Sequence, residues 1–195
     1  MSVTEQSNGL ALRLKQETAV DHEHMHVLME KAAVFLNQEN YSKFTLAQYY
    51  FQKDIEHLFA DQNLMALISD LDIRGRSEAA KADLADLEQS VAEIQLATEN
   101  VKFPESIGWL YVSEGSTLGA AFLFKQAQAS LGLSAQFGAR NLAAYPEGRA
   151  KVWKHFISEI DQADLTQEQL DQVVLAAKQG FQRFAALLTD HQTAS

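Results

Sequence analysis

Apolar residues recur at helical intervals from Leu10 onward, beginning with Leu10 and Leu14 and running towards Phe35, with a bend or break on the way. The eight residues before them (Met1 to Asn8) are polar, a pattern that predicts a frayed tail. A second helix is expected to start near Asn40 or Thr45, with Phe44, Phe51, Ile55, Leu58 and Phe59 forming one inward stripe. A short apolar piece follows from Leu64 to Ile68, then a turn from Asp70 to Arg76. Ser77 opens an alanine-rich helix with Glu78 in its first turn, where a negative charge meets the positive end of the helix dipole. Pro104 and Glu105 mark a further start, because proline fits the first helical turn, and Gly132 is the expected stop. Pro146 and Glu147 start the next helix, which carries Val152, Phe156 and Ile160. Thr166, with Glu168 close behind, caps the last, whose buried face includes Leu170, Val173, Ala177, Phe181, Phe184 and Leu188. These segments predict a single-domain all-α bundle over residues 9–190.

Composition sharpens this picture. At 195 residues, with 47% apolar residues, the chain can bury one core without staples. Nine glycines and two prolines interrupt it sparsely, and Ala, Leu, Gln, Glu and Lys dominate over the β-branched residues that strands favour. There is no cysteine, which excludes disulfides, thiolate-held zinc, iron–sulfur clusters and covalent C-x-x-C-H haem attachment. A cysteine-free chain without an apolar leader is expected to be cytoplasmic. Its longest aliphatic–aromatic run, Leu118 to Phe124, is too short to span a bilayer. The formal charge of −10 argues against a nucleic-acid partner, which requires a cationic surface.

Two segments carry candidate chemistry. In the first, Asp21-His22-Glu23-His24-Met25-His26, a helix would place His22 and His26 about 40° apart on one face, with Met25 and Met29 extending it. Lys15 and Thr18 lie on the same face, two turns and one turn before His22. A neutral imidazole is a good iron ligand, and a lysine at that distance could reach an anionic group. Exposed polar residues on an amphipathic helix account for the same pattern. In the second segment, Gly108 to Phe124, Gly108, Gly115 and Gly119 fall on one helical face together with Tyr111. Each interior glycine costs about 1 kcal/mol relative to alanine, so something must approach the helix closely. Either a tightly packed neighbouring helix or a flat ligand lying against bare backbone would do so.

Together the segments resemble the bacterial haem oxygenases. The resemblance rests on Leu14-Lys15-x-x-Thr18-x-x-x-His22, on Asn40-Tyr-Ser-Lys-Phe44 followed by Gln48-Tyr-Tyr-Phe-Gln52, and on the block from Gly108 to Lys125. It continues through Phe137-Gly-Ala-Arg140 and Pro146-Glu-Gly-Arg149 to Gly180-Phe-x-x-Phe184, so it covers nearly the whole chain. It implies that haem b is both substrate and cofactor, with His22 as the axial iron ligand. It further implies a distal wall of Gly115, Ser116 and Gly119, Tyr111 at the haem edge, and Lys15 near a propionate. Thr18 shares the Lys15–His22 face, and Phe181 and Phe184 would line the pocket. Two positions depart from the family pattern: His26 stands where a carboxylate often follows the axial histidine, and Gln52 where some relatives carry histidine.

The activity so implied is conversion of haem and O2 to biliverdin, the IXα isomer, with CO and ferrous iron, serving iron release. The distal wall would supply backbone and small hydroxyls that order water, without a side-chain acid. Lys15 and Tyr111 would set the in-plane orientation of haem and hence the carbon attacked. No dinucleotide fingerprint is present, so electrons would come from an external ferredoxin, flavoprotein reductase or ascorbate. Arg149, Lys151 and Lys154 could dock an acidic donor, although such clusters are commonly solvated helix faces. Nothing in the sequence demands more than a monomer. A haem carrier without turnover would use the same pocket. A non-haem di-iron bundle is a further alternative, through Glu23-x-x-His26, Asp54-x-x-His57 and Glu114.

Overall fold

The first periodic stretch divides at Thr18, giving α1 (Leu10–Glu17) and α2 (Ala19–Ala32) in the computed structural model, which describes residues 9–193. The tail expected over residues 1–8 lies outside the described residues. At the break, buried Thr18 leaves helical geometry (φ −108°, ψ 10°), and its hydroxyl and amide both donate to the Leu14 carbonyl, at 2.8 and 3.0 Å. Helix α3 (Gln38–His57) starts earlier than Asn40, because the Asn37 side chain accepts the Asn40 amide at 2.8 Å and caps it.

After a single 3-10 turn at Leu58–Ala60 comes α4 (Gln62–Leu67), capped by Asp61, and then a second such turn at Leu71–Ile73. Ser77 is the first residue of α5 (Ser77–Asp86) and not its cap. Its amide and hydroxyl both donate to the Glu56 carboxylate of α3, so a neighbouring helix satisfies the exposed N–H end. Helix α6 (Glu105–Leu131) ends where Gly132 takes a left-handed φ of 68°. Helix α7 (Arg149–Ile160) begins three residues after Pro146. The last helix, α8 (Gln167–Thr193), opens with a capping box in which Gln169, rather than Glu168, returns the bond to the Thr166 amide.

Eight α-helices and no strand occur among the described residues. Helix α8 packs against α6, α3 and α2, and around it Leu14, Ile55, Ile107, Leu110, Phe156 and Val173 are sealed from solvent. Each such side chain contributes about 1.5–3 kcal/mol by leaving water. At the α6–α8 crossing the helices meet backbone to backbone: a Cβ on Gly108 would lie 2.2 Å from the Val173 carbonyl oxygen. Among the described residues no helix is long and apolar enough to cross a membrane.

Candidate functional site

A cleft of about 840 Å³ opens between α2, α3, α6 and α8. Helix α2 contributes His22, Met25, His26 and Met29; α3 contributes Phe44, Gln48, Phe51 and Gln52. Opposite α2, α6 presents Val112, Ser116, Gly119, Ala120 and Leu123, while Phe181 and Phe184 of α8 close the side. The lining is mostly apolar, with polar groups confined to a few positions, as in sites for large flat ligands. The volume falls in the range of such sites.

The His22 ring is held between two neighbours. His26 meets it edge to face at a centroid distance of 4.7 Å, and Phe181 does the same at 6.3 Å. Partial burial pushes the His22 pKa below its ordinary value, the nearby His26 adds to this, and Glu23 opposes it. The imidazole is therefore neutral at pH 7, with a lone pair available to a metal.

The glycines of α6 divide by role. Gly108 serves helix packing, as its contact with α8 shows. Gly115 faces the Trp153 ring of α7, with an added Cβ at 3.5 Å from it, and does not line the cleft. At Gly119 an added Cβ would meet nothing within 4 Å, so here the backbone lies bare to the cleft. Close helix packing accounts for Gly108, whereas Gly119 leaves backbone open on the cleft side.

No carboxylate on α6 faces the cleft. Glu114 is buried on another face, where Arg74 donates to it at 2.6 Å, Arg76 at 3.1 Å and the Tyr145 hydroxyl at 2.9 Å. Burial, and then the Glu114 charge, push the Tyr145 hydroxyl well above the usual phenol range. Arg76 also donates to the Ser113 carbonyl (3.1 Å) and hydroxyl (2.9 Å), and Gln52 donates to that hydroxyl at 3.1 Å. Arg76 and Gln52 thereby connect this network to the cleft wall. The Oε1 atoms of Gln48 and Gln52 are buried without a hydrogen-bond partner. Such orphaned acceptors cost about 1–3 kcal/mol each unless a ligand or its water supplies a donor.

Of the residues singled out in the sequence, His22, Ser116, Gly119, Phe181 and Phe184 come together in the cleft. Lys15, Thr18, Tyr111 and Gly115 do not line it. Lys15 is exposed in the last turn of α1, Thr18 spends its hydroxyl on Leu14, and Tyr111 packs tilted against Trp153 at a centroid distance of 5.5 Å. Arg149 is a strut, donating to the Thr117 carbonyl at 2.9 Å and to the Leu142 carbonyl, which leaves Lys151 and Lys154 as the exposed cations of α7. Among the described residues, those of the di-iron alternative do not gather into a ligand set. Asp54 is buried against Arg183 and the Ala97 amide, and Glu114 is held by two arginines.

Sequence reasoning missed Arg74 and Arg76. They sit in what reads as a polar turn, and the available signal was Glu114, an acid within an otherwise apolar helix that requires a cation when buried.

A family model described as heme oxygenase matches residues 8–190 of the chain. The heme oxygenase PigA of Pseudomonas aeruginosa is 42% identical over 183 residues, covering 90% of this chain and 89% of that protein. The NO- and CO-bound heme oxygenase of Neisseria meningitidis superposes with a TM-score of 0.88 at 35% identity, covering 95% of this chain and 92% of that one. A cyanobacterial heme oxygenase-1 in complex with heme, from Synechocystis, shares the fold with a TM-score of 0.76 at 16% identity, over 93% of this chain and 91% of that one.

Proposed function

The chain belongs to the haem oxygenase family, and from that premise we propose that it converts haem, with O2 and external electrons, to biliverdin IXα, CO and ferrous iron. One observation carries the reading: a neutral histidine and a bare, carboxylate-free stretch of helix line opposite walls of one apolar cleft. Bound haem supplies an iron that activates O2 and, in its own ring, the carbon that is oxidised.

The residues have separable parts. His22 would hold the haem iron through a ring nitrogen, and the edges of His26 and Phe181 restrict rotation of its ring. Gly119, with no side chain and open space beside it, would leave room for haem close to the α6 backbone. Ser116, whose hydroxyl donates to the Ser113 carbonyl at 2.6 Å, keeps its oxygen lone pairs for a water on the cleft side. Gly115, one residue before it, leaves room for Trp153 and so sets how far α6 leans into the cleft. Glu114, the acid of α6 next to Gly115, is kept off this wall by its two arginines, so the α6 wall offers water and hydroxyls but no side-chain acid for proton supply. Phe181 and Phe184 exclude bulk solvent along the α8 side.

Lys15, exposed beside the α1–α2 break, is the cation proposed to meet a propionate at the cleft edge. Thr18 contributes by shaping that break, and Tyr111 by seating α6 on Trp153. Electrons are proposed to arrive from a ferredoxin, a flavoprotein reductase or ascorbate, with Lys151 and Lys154 available to dock an acidic donor. The setting implied is a monomeric cytoplasmic enzyme of iron release.

Aerobic turnover of the haem-loaded protein with ascorbate, followed by product chromatography, tests the reading. Loss of the Soret band with appearance of biliverdin IXα is expected. Bound haem that persists unchanged under reductant and air would make the protein a carrier and overturn the proposal.

A further inference from the structure

A second cluster of ligating side chains lies away from the cleft, where α7 faces the segment between α4 and the Leu71–Ile73 turn. Asp70, His155 and Glu159 bring one ligand atom each to within 4.8 Å of one another, and none of the three lines the cleft. From this geometry we infer that the chain holds a divalent first-row transition cation of the zinc class on Asp70, His155 and Glu159.

The spacing suits such an ion. His155 and Glu159 are one turn apart on α7, and the His155 Nε2 lies 3.3 Å from Glu159 Oε1 and 3.9 Å from Asp70 Oδ2. Two ligands at the usual zinc distances in a tetrahedron stand about 3.3 Å apart, which His155 and Glu159 already meet, whereas Asp70 must draw closer. One nitrogen and two carboxylate oxygens, with the Ser69 hydroxyl or water as the fourth ligand, form a familiar donor set for this class of ion.

The surroundings are built to hold the ligands still. Glu159 Oε1 accepts from the Ser69 amide at 3.0 Å and from the Ser69 hydroxyl at 2.5 Å, whereas Oε2 is buried with no hydrogen-bond partner. The oxygen nearest His155 is the oriented Oε1. Asp70 is gripped by Arg74 through both oxygens, at 2.7 and 2.9 Å, and Arg74 is itself paired with Glu114. Hydrogen-bonded ligating carboxylates of this kind are the rule around metal centres. Charge also permits the ion: three carboxylates (Asp70, Glu114, Glu159) face two guanidiniums (Arg74, Arg76) here.

The cleft histidines His22 and His26 offer a competing i, i+4 pair, so the test must separate the two places. Isothermal titration with Zn²⁺ of the haem-free protein, of a His22→Ala/His26→Ala variant, of His155→Ala and of Glu159→Gln does so, with circular dichroism confirming that each is folded. A one-to-one event that persists in the cleft double variant, vanishes in His155→Ala and weakens at least about tenfold in Glu159→Gln is expected. His155 is half exposed, so removing its ring leaves the core intact. No event in the double variant, or an unchanged event in His155→Ala, would overturn the inference. Because haem binding is not part of the readout, either result stands apart from the proposed activity.

Discussion

Arg74 and Glu114, neither more than 1% exposed, meet at 2.6 Å and tie the turn after α4 to the helix that forms one wall of the cleft. Sealing two charges from water is costly, and the pair is tolerated because Asp70, Arg76 and Tyr145 complete its hydrogen bonding. Removing one member leaves the others buried and uncompensated. Glu114→Gln is therefore expected to destabilise the protein by about 3–5 kcal/mol. Tyr145→Phe, which removes one bond and no charge, should cost about 1 kcal/mol. Thermal melts check both, at about 2–4 °C per kcal/mol for a chain of this size. A Glu114→Gln protein melting within 2 °C of the parent would show that the network does not brace the fold.

Legibility from sequence followed physical range. Helices announced by local signals were readable: the prolines before α6 and α7, Gly132 after α6, and Thr166 before α8 all stand where the chain turns. Where a remote residue supplies the cap, local reading fails. Ser77 has the chemistry of a cap, yet Glu56, twenty-one positions earlier, satisfies the start of α5. The same holds for the site. His22 and Gly119 stood out because their local patterns demand explanation, whereas Arg74 and Arg76 are indistinguishable from solvated cations until Glu114 is seen beneath them. Tyr111 shares an ideal helical face with the glycines, but the Trp153 ring claims it.

The two ends of the glycine face should respond oppositely to one methyl group. At Gly108 an added Cβ meets the α8 backbone, at 2.2 Å from Val173 O and 2.6 Å from Ala177 N, and backbone cannot move aside as a side chain can. Gly108→Ala should lose at least about 1–3 kcal/mol. At Gly119 the methyl enters open space, so Gly119→Ala should match or exceed the parent by about 0.5–1 kcal/mol through helix propensity. Its haem affinity should nonetheless fall, because the methyl occupies the approach to bare backbone. Urea denaturation and haem titration, run side by side, read the two effects. Unchanged haem affinity in Gly119→Ala would deny that the porphyrin lies against this stretch.

The proposed role of His22 as the ligand of haem iron predicts a rescue. His22→Ala should retain its fold, since the ring lies on the cleft surface, but should lose the nitrogen-ligated Soret signature and turnover. Imidazole added to the solution should restore both in part, by entering the space the side chain leaves. His26→Ala distinguishes the neighbouring ring: if His22 is the ligand as proposed, normal ligation is expected there, with altered tuning of the iron, because the His26 ring meets the His22 ring edge to face. Loss of the signature in His26→Ala and its survival in His22→Ala would exchange the two assignments.

Acid stability should report on Asp61, which holds two parts of the chain together. One carboxylate oxygen accepts the Asn63 and Leu64 amides at the start of α4, at 2.9 and 3.3 Å, and the other accepts the Phe103 amide ahead of α6 at 2.9 Å. Burial alone would raise the pKa of this carboxyl, but the Phe103, Asn63 and Leu64 amides, helped by Lys102, outweigh it and hold the group below its ordinary value of 3.8. A depressed carboxylate pKa means that the unfolded chain takes up the proton first as pH falls. The stabilisation is therefore complete above the ordinary value and is lost as pH drops through the lower, folded-state value. Asp61→Asn, which keeps the shape without the charge, should be less stable by about 0.3–1 kcal/mol at pH 7. Denaturation midpoints compared at pH 7, 5, 4 and 3 should show that gap constant down to pH 5 and then closing, since protonation makes the parent resemble the variant. A gap that stays the same width down to pH 3 would mean that the charge of Asp61 contributes nothing beyond its hydrogen-bonding shape.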